Sequence, residues 1–296
     1  LSEEQQFFRN SIARFLENKT TVENIRQYAR GDSEKFADEI HNGLIELGIN
    51  NLMIPESYGG LGLDLLYATA VSESLGAYIA PVPYTGSYIM TPMAIMLAGS
   101  RDQKEKYLHA ISNNEMHFGF GVTEYIAPRE NAEIILNNKT ASGRALFVMD
   151  GLNATHYILT TKSGTIFIIN ANDPNLQIVQ LTTVDKTKDV SELILNSCQV
   201  EVLKKSVNDT SIIDKVIDAG RIMVAADSLG ASQSMIDKSV NYSKERIQFG
   251  RVIGSFQAVK HMCAEMTANI QPCYSMVCNA AHCLSYIQEE ERKIIK

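Results

Sequence analysis

Basic tracts, long apolar runs and turn-forming residues are all scarce in this 296-residue sequence. Lysine and arginine number 27 against 34 aspartates and glutamates, so the formal charge is −7. An acidic chain with no basic run lacks the surface that neutralises a phosphate backbone, and no nucleic-acid partner is expected. No apolar stretch approaches the ~20 residues of a membrane-spanning helix, so no membrane partner is expected either. Glycine (18) and proline (7) are too few for a collagen-like or low-complexity chain. The opening segment, Leu1 to Lys19, is amphipathic and carries Glu3, Glu4 and Arg9, unlike a secretory leader.

The five cysteines are an odd number, and Cys263, Cys273, Cys278 and Cys283 are spaced by 10, 5 and 5. Those intervals are not the short paired spacings of a zinc site. Reduced, half-buried thiols of a cytoplasmic protein are the expectation, with no metal bound. Also missing are a GxGxxG after a strand, a P-loop, an HExxH and a GxSxG.

What remains is a chain 45% hydrophobic and 21% charged, able to bury a core and long enough for two or three domains. Phe7, Phe8, Ile12, Phe15 and Leu16 recur at helical steps, as do Phe36, Ile40, Leu44, Ile45 and Leu47, which stop at Gly48. After a glycine-dense loop from Met53 to Gly62, further helices are predicted through Ala68–Ile79, Ile89–Leu97 and Asp102–Ile111. From Phe118 the pattern turns to strands. His156–Thr160 and Thr165–Ile169 flank a Lys162-Ser163-Gly164 turn, and Gln177–Leu181 and Leu193–Val202 follow.

Helical period returns near Val207. Ile222, Ala226, Leu229, Ile236, Val240 and Ile247 predict a helix of about thirty residues, and Phe256–Met266 and Tyr274–Ile287 start two more. Glu289 to Lys296 still fit a helical pattern, so the bundle is expected to continue. The fold class is therefore α+β: an N-terminal all-α domain (1–116), a small middle β-barrel or sandwich (117–205) and a C-terminal antiparallel helix bundle (206–296), incomplete as it stands.

Arg246-Ile247-Gln248-Phe249-Gly250, then Ile253, Phe256-Gln257 and Ala264-Glu265-Met266, resemble the signature of the acyl-CoA dehydrogenase family. Three other stretches agree in order: Leu47-Gly48 with Pro55-Glu56 and Tyr58 to Gly62; Gly121-Val122-Thr123-Glu124; and Gly143 to Gly151. The segment Glu73 to Pro83 is most similar to bacterial members that act on steroid-derived or other bulky acyl-CoAs. The resemblance implies an FAD enzyme that forms an α,β-double bond in an acyl-CoA by α-proton abstraction and β-hydride transfer to flavin N5. It also implies a homo- or hetero-oligomer, a tetramer as a rule, with an electron-transfer flavoprotein as acceptor.

By the same resemblance, Phe120, Val122 and Thr123 match positions that line the isoalloxazine, although a buried strand with an ordinary threonine reads the same residues without a ligand. Phe147 matches an aromatic at the flavin's side, or is a core aromatic. Arg246, Gln248 and Phe249 match residues that reach a neighbouring subunit's FAD, and Gln257 a position near its adenine half. A guanidinium suits a pyrophosphate because it pairs bidentately and stays charged. Asp218 and Arg221 fall on the substrate-side helix start, where Asp218 could equally be a charge favoured by the helix dipole. The six histidines have no nucleophile or carboxylate motif beside them and read as surface or satisfied core residues.

Two departures from the family pattern stand out. After Glu124, where a Gly-Ser-Asp run is usual, the chain reads Tyr125 to Glu130, with Arg129 at the serine. And the family carries its base either late in the C-terminal bundle or just before the substrate-side arginine; the second of these positions is Gly220, so the catalytic base is unassigned. A non-catalytic structural subunit, and a flavin-dependent oxidase or oxygenase on the same fold, stay open as alternatives.

Overall fold

The computed structural model describes residues 2–287, and the helical continuation expected over Glu289 to Lys296 lies outside them. The chain opens with α1 (Glu3–Lys19), capped reciprocally: Gln5 N–H donates to Ser2 Oγ, and Ser2 N–H donates to Gln5 Oε1. Helices α2 (Val22–Arg30) and α3 (Glu34–Glu46) follow, and the chain turns at Gly48 with φ +84°. Next come α4 (Leu65–Ala77), a π-helical segment (Tyr84–Met90) running straight into α5 (Thr91–Ala98), and α6 (Arg101–Ser112), capped by Ser100 and Gln103 as α1 is.

Strand β1 (Phe118–Gly121) leads into the one-turn helix α7 (Thr123–Ile126). Then come β2 (Ile135–Asn137), β3 (Thr140–Met149), β4 (His156–Thr160), β5 (Ile166–Asn170), β6 (Leu176–Gln180) and β7 (Val190–Val202). The long α8 (Thr210–Glu245), a hairpin of β8 (Ile247–Gln248) and β9 (Arg251–Val252), and α9 (Gln257–Tyr286) complete the described chain. No described helix is long and apolar enough to cross a membrane.

Two compact units are built from this order, each from discontinuous pieces. One comprises residues 22–64 and 81–221 and holds the seven-stranded sheet, ordered β2-β3-β1-β4-β5-β7-β6. Because β3 also pairs with β7, five of those strands close on themselves as a small barrel. All pairings are antiparallel except β1 with β4. Alternation fills the barrel: Tyr157 and Leu159, Phe167 and Ile169, Leu193 and Leu195 point to one core, joined by Val148 and Cys198. The opposite faces of β4 and β5, Ile158 and Ile168, are buried too, so this sheet is covered on both sides. At its outer face Tyr107 of α6 donates to Glu201 Oε2 on β7 at 2.6 Å and meets the Phe118 ring edge-on at 5.8 Å.

The other unit comprises residues 1–21, 65–80 and 222–296. Helix α4 is buried nearly all round, through Leu65, Ala68, Ala70, Val71 and Leu75, as an apolar helix inside a bundle must be. Ser72 Oγ donates to the Met223 carbonyl at 2.8 Å, tying α4 to α8. Leu229, Ile236 and Ile270 form a second apolar cluster, with Val240, Tyr274 and Val277 packed against it.

Four local differences separate this fold from the periodicity reading. The segments Phe256–Met266 and Tyr274–Ile287 belong to one helix, α9, which continues through Pro272. The lost N–H and ring clash there cost about 3 kcal/mol, offset by apolar packing on either side of the proline, at Ile270, Cys273 and Val277. Ile247 is not on α8 but in the hairpin, 63% exposed. Strands β2 and β3 were hidden from alternation because two register shifts break β3 against β7. The helix foreseen from Ile89 begins instead as π-helical turns at Tyr84.

Candidate functional site

Strand β1 ends where the first group of expected site residues begins. Phe120 is fully buried and pairs with Met149 across the β1–β3 ladder. Val122 follows directly on β1, whose ladder partner β3 is the strand that carries Phe147. Val122 caps α7, Thr123 is its first residue, and both are half-buried. Phe147 lies in the β3 bulge between Ala145 and Val148, at φ +54°, with 54% of its surface exposed. That exposure excludes the core-aromatic alternative: the bulge turns this ring out of the barrel.

Beneath Thr123, the Glu124 side chain is 2% exposed. Arg129 turns back on it, placing Nε 3.3 Å and Nη2 3.0 Å from the same carboxylate oxygen, Oε1. Glu124 Oε2 is buried with no hydrogen-bond partner. Arg129 Nη1 is 3.7 Å from Glu192 Oε1, which Arg144 Nε reaches at 3.1 Å. One residue along, Tyr125 donates its hydroxyl to Asp214 Oδ1 on α8 at 2.8 Å. The departure at Arg129 is therefore a structural exchange, with a guanidinium closing the loop by ion pairing.

In the helical unit, Arg246, Gln248 and Phe249 stand on or beside the β8–β9 hairpin, and Gln257 is the first residue of α9. The hairpin turn is Phe249-Gly250, at φ +54° and +78°, the double left-handed turn that suits two-residue hairpins. Arg246, Gln248 and Gln257 are exposed, and Phe249 is 91% exposed. The Phe249 ring meets Phe256 edge-on at 6.1 Å, and the Arg251 guanidinium lies 4.1 Å from the Phe256 ring centre. These four residues belong to a different compact unit from Thr123 and Phe147.

Asp218 and Arg221 pair with each other one helical turn apart, Oδ1 to Nη1 at 3.0 Å. Asp218 is not an N-terminal charge: α8 begins at Thr210, which leaves Asp218 more than two turns inside and beyond the reach of the dipole. Between the two lies Gly220, fully buried, where an added Cβ would stand 2.6 Å from Met90 Sδ. Met90 occupies the space a side chain at position 220 would need.

Sequence reasoning passed over two titratable clusters in the barrel unit. His41 Nε2 lies 2.6 Å from the Tyr88 hydroxyl, and burial, aided by His117, lowers the His41 pKa to about 4. Asp150, two residues beyond Val148 in the family-like stretch, is pushed up to about 7 by burial, with Asp189 adding and Lys188 opposing. Backbone donors at Gly86 and Ser87 also favour its charged form. Nothing in the spacing of these residues marks them; the signal is tertiary.

Residues 2–115 match the family described as "Acyl-CoA dehydrogenase, N-terminal domain", and residues 210–295 match "Acyl-CoA dehydrogenase, C-terminal domain". The short-chain-specific acyl-CoA dehydrogenase of Megasphaera elsdenii is 31% identical over 274 residues, 83% of this chain and 71% of that protein. The caffeyl-CoA reductase–Etf complex subunit CarC of Acetobacterium woodii is 27% identical over 308 residues, 95% of this chain and 79% of that one. Among solved structures, butyryl-CoA dehydrogenase from Megasphaera elsdenii matches with a TM-score of 0.83 at 25% identity, over 96% of this chain and 80% of that one.

Proposed function

The chain belongs to the acyl-CoA dehydrogenase family, and from that membership we propose how its residues divide the work of the family reaction. It is an FAD-dependent oxidoreductase acting on the CH–CH bond next to an acyl-CoA thioester. The bound flavin supplies the hydride acceptor at N5, and the protein supplies orientation, desolvation and proton handling.

The residues present suit the cofactor. A ring left exposed at a β-bulge, Phe147, lies on the strand that pairs with β1, and β1 leads directly into Val122 and the Thr123 hydroxyl, so apolar surface and a donor come from paired strands. The hairpin and the start of α9 offer the Arg246 guanidinium and the primary amides of Gln248 and Gln257 on exposed positions, the donors a diphosphate and an adenine call for. On this reading Phe120, Val122, Thr123 and Phe147 border the isoalloxazine. Arg246, Gln248, Phe249 and Gln257 grip the diphosphate and adenine end of an FAD carried by a neighbouring chain. Asp218 and Arg221 hold each other at the substrate side and restrict one another's reach.

The partners follow at the same level: an acyl-CoA substrate, a homo- or hetero-oligomeric assembly, and an electron-transfer flavoprotein as acceptor. The relative from Acetobacterium woodii, named as a subunit of a reductase–Etf complex, supports that acceptor.

The observation that carries the proposal is the exposed Phe147 ring on β3, the strand that pairs with β1. Its test is titration of the purified assembly with FAD, followed by visible absorbance. Saturable binding that Phe147→Ala and Arg246→Ala each weaken supports the assignment; tight binding indifferent to both overturns it.

A second reading, a non-catalytic subunit of a heteromeric dehydrogenase, is favoured by one fact: position 220 is a glycine packed against Met90 and offers no carboxylate. Reduction of the bound flavin by butyryl-CoA in the absence of any other chain would exclude it.

A further inference from the structure

Thr123 and Glu124 are consecutive on a helix of one turn, α7, which has too few hydrogen bonds of its own to fix its orientation. What holds it is the Glu124 side chain, 98% buried by its 2% exposure, and the Arg129 guanidinium that returns two N–H groups to Oε1. Tyr125, donating to Asp214, fastens the other side of the turn. A buried carboxylate keeps its charge only with such a partner, so the pair ties residues 123–129 into one closed loop. The second oxygen, Oε2, has no hydrogen-bond partner among the described residues, and Glu124 lines a cavity of about 310 Å³ with Pro128, Arg129, Asn131, Glu133 and Lys162. The whole hold on Glu124 therefore rests on Arg129.

We propose that Glu124 and Arg129 are positioning residues, whose clasp fixes the turn that presents Thr123 to the flavin. The inference rests on the reading that Thr123 stands at the isoalloxazine. Removing Arg129 leaves Glu124 a buried, unpaired charge, and the turn must reopen to hydrate it. Thr123 then moves although nothing at position 123 has changed. Arg144 pairs with Glu192, the carboxylate that Arg129 Nη1 also approaches at 3.7 Å.

The test uses the FAD-loaded full chain and reads the visible circular dichroism of bound FAD together with its Kd. Thr123→Val reports whether position 123 is at the flavin. Arg129→Met is expected to change the flavin dichroism in the same sense as Thr123→Val and to raise the FAD Kd about tenfold. Arg129→Lys, keeping one charged donor, should recover part of both.

A parent-like spectrum and Kd in Arg129→Met, with Thr123→Val altered, overturns the clasp while leaving the flavin site intact. A silent Thr123→Val overturns both, and it alone identifies the flavin placement as the fault. If Arg129→Met does not fold, the double variant Glu124→Gln with Arg129→Gln removes both charges at once. Its dichroism should still depart from the parent's, and identity with the parent refutes the proposal.

Discussion

Helix α8 carries two glycines at which the same substitution meets opposite kinds of neighbour. A Cβ at Gly230 would stand 1.8 Å from the Glu73 carbonyl oxygen, 2.7 Å from its carbon and 2.9 Å from Ala77 N, all of them backbone. A Cβ at Gly220 would stand 2.6 Å from Met90 Sδ, 3.2 Å from its Cε and 3.3 Å from its Cγ, all of them side chain. In both positions Gly→Ala favours the helix by about 1 kcal/mol. Against that, crowding a packed core costs about 1–3 kcal/mol when side chains can shift. Met90 has three rotatable bonds and can give way, so Gly220→Ala should lose roughly 1 kcal/mol net.

The carbonyl at Glu73 cannot rotate away without breaking α4. The two helices must separate by roughly 1.5 Å, and a gap of 0.5–1 Å already forfeits about a quarter to a half of each dispersion contact. Gly230→Ala should therefore lose roughly 3 kcal/mol or more. At about 2–4 °C per kcal/mol, the midpoint of a thermal scan by circular dichroism falls by roughly 6 °C or more for Gly230→Ala, and by roughly 4 °C or less for Gly220→Ala. Gly76→Ala, whose Cβ would meet the Asp227 carbonyl oxygen at 1.9 Å, should behave like Gly230→Ala. Equal shifts at positions 220 and 230 would refute the distinction between yielding and unyielding neighbours.

Asp150 titrates near 7 in the native chain against 3.8 as an ordinary carboxyl, so folding favours its protonated form. That contribution is complete below about 3.8 and is lost as pH rises toward 7; Asp150→Asn should gain stability relative to the parent across that window and hold the gain above it, as denaturant midpoints at pH 4, 6 and 8 will read. His41 shifts the other way, from 6.5 to about 4, so it supports the fold above pH 6.5 and that support is lost as pH falls toward 4. His41→Gln should flatten the acid limb of the same midpoint series. Phe249→Ala, at a 91% exposed position, should leave the melting midpoint within about 1–2 °C yet weaken both FAD binding and self-association, followed by sedimentation velocity; unchanged sedimentation with unchanged FAD affinity would remove this ring from the site.

Long, strongly periodic segments are legible in the sequence alone. Ile222, Ala226, Leu229 and Ile236 mark α8 because one stripe of a long helix must face a core. The β4–β5 hairpin was legible from its Lys162-Ser163-Gly164 turn between two β-rich runs. What escaped was decided by neighbours distant in sequence. β3 was invisible to alternation because its bulges reverse which residues face inward. Phe256–Met266 and Tyr274–Ile287 read as two helices, yet α9 runs through Pro272, with packing around Ile270 holding it together. Motif resemblance singles out Thr123 and Arg246 as candidates, but no spacing could say that Arg129 folds back on Glu124 or that Met90 fills the space beside Gly220.

Two phenylalanines, Phe147 and Phe249, share a pair of features that folding by itself does not favour. Each sits at φ +54°, a left-handed backbone that for a bulky residue costs of the order of 1–3 kcal/mol. Each also leaves most of an aromatic ring in water, 54% and 91% exposed. Within the chain the return is small: a bulge in β3 for one, an edge-on contact with Phe256 for the other. A tight β3 without the bulge, or a glycine at the first turn position of the hairpin, would stabilise the isolated fold more. The strain and the exposure make sense together if both rings are set out to meet something that is not this chain. Both positions are among those that family resemblance places at FAD, and the cofactor offers what each lacks: an extended apolar surface against which the ring is buried and the backbone strain is offset.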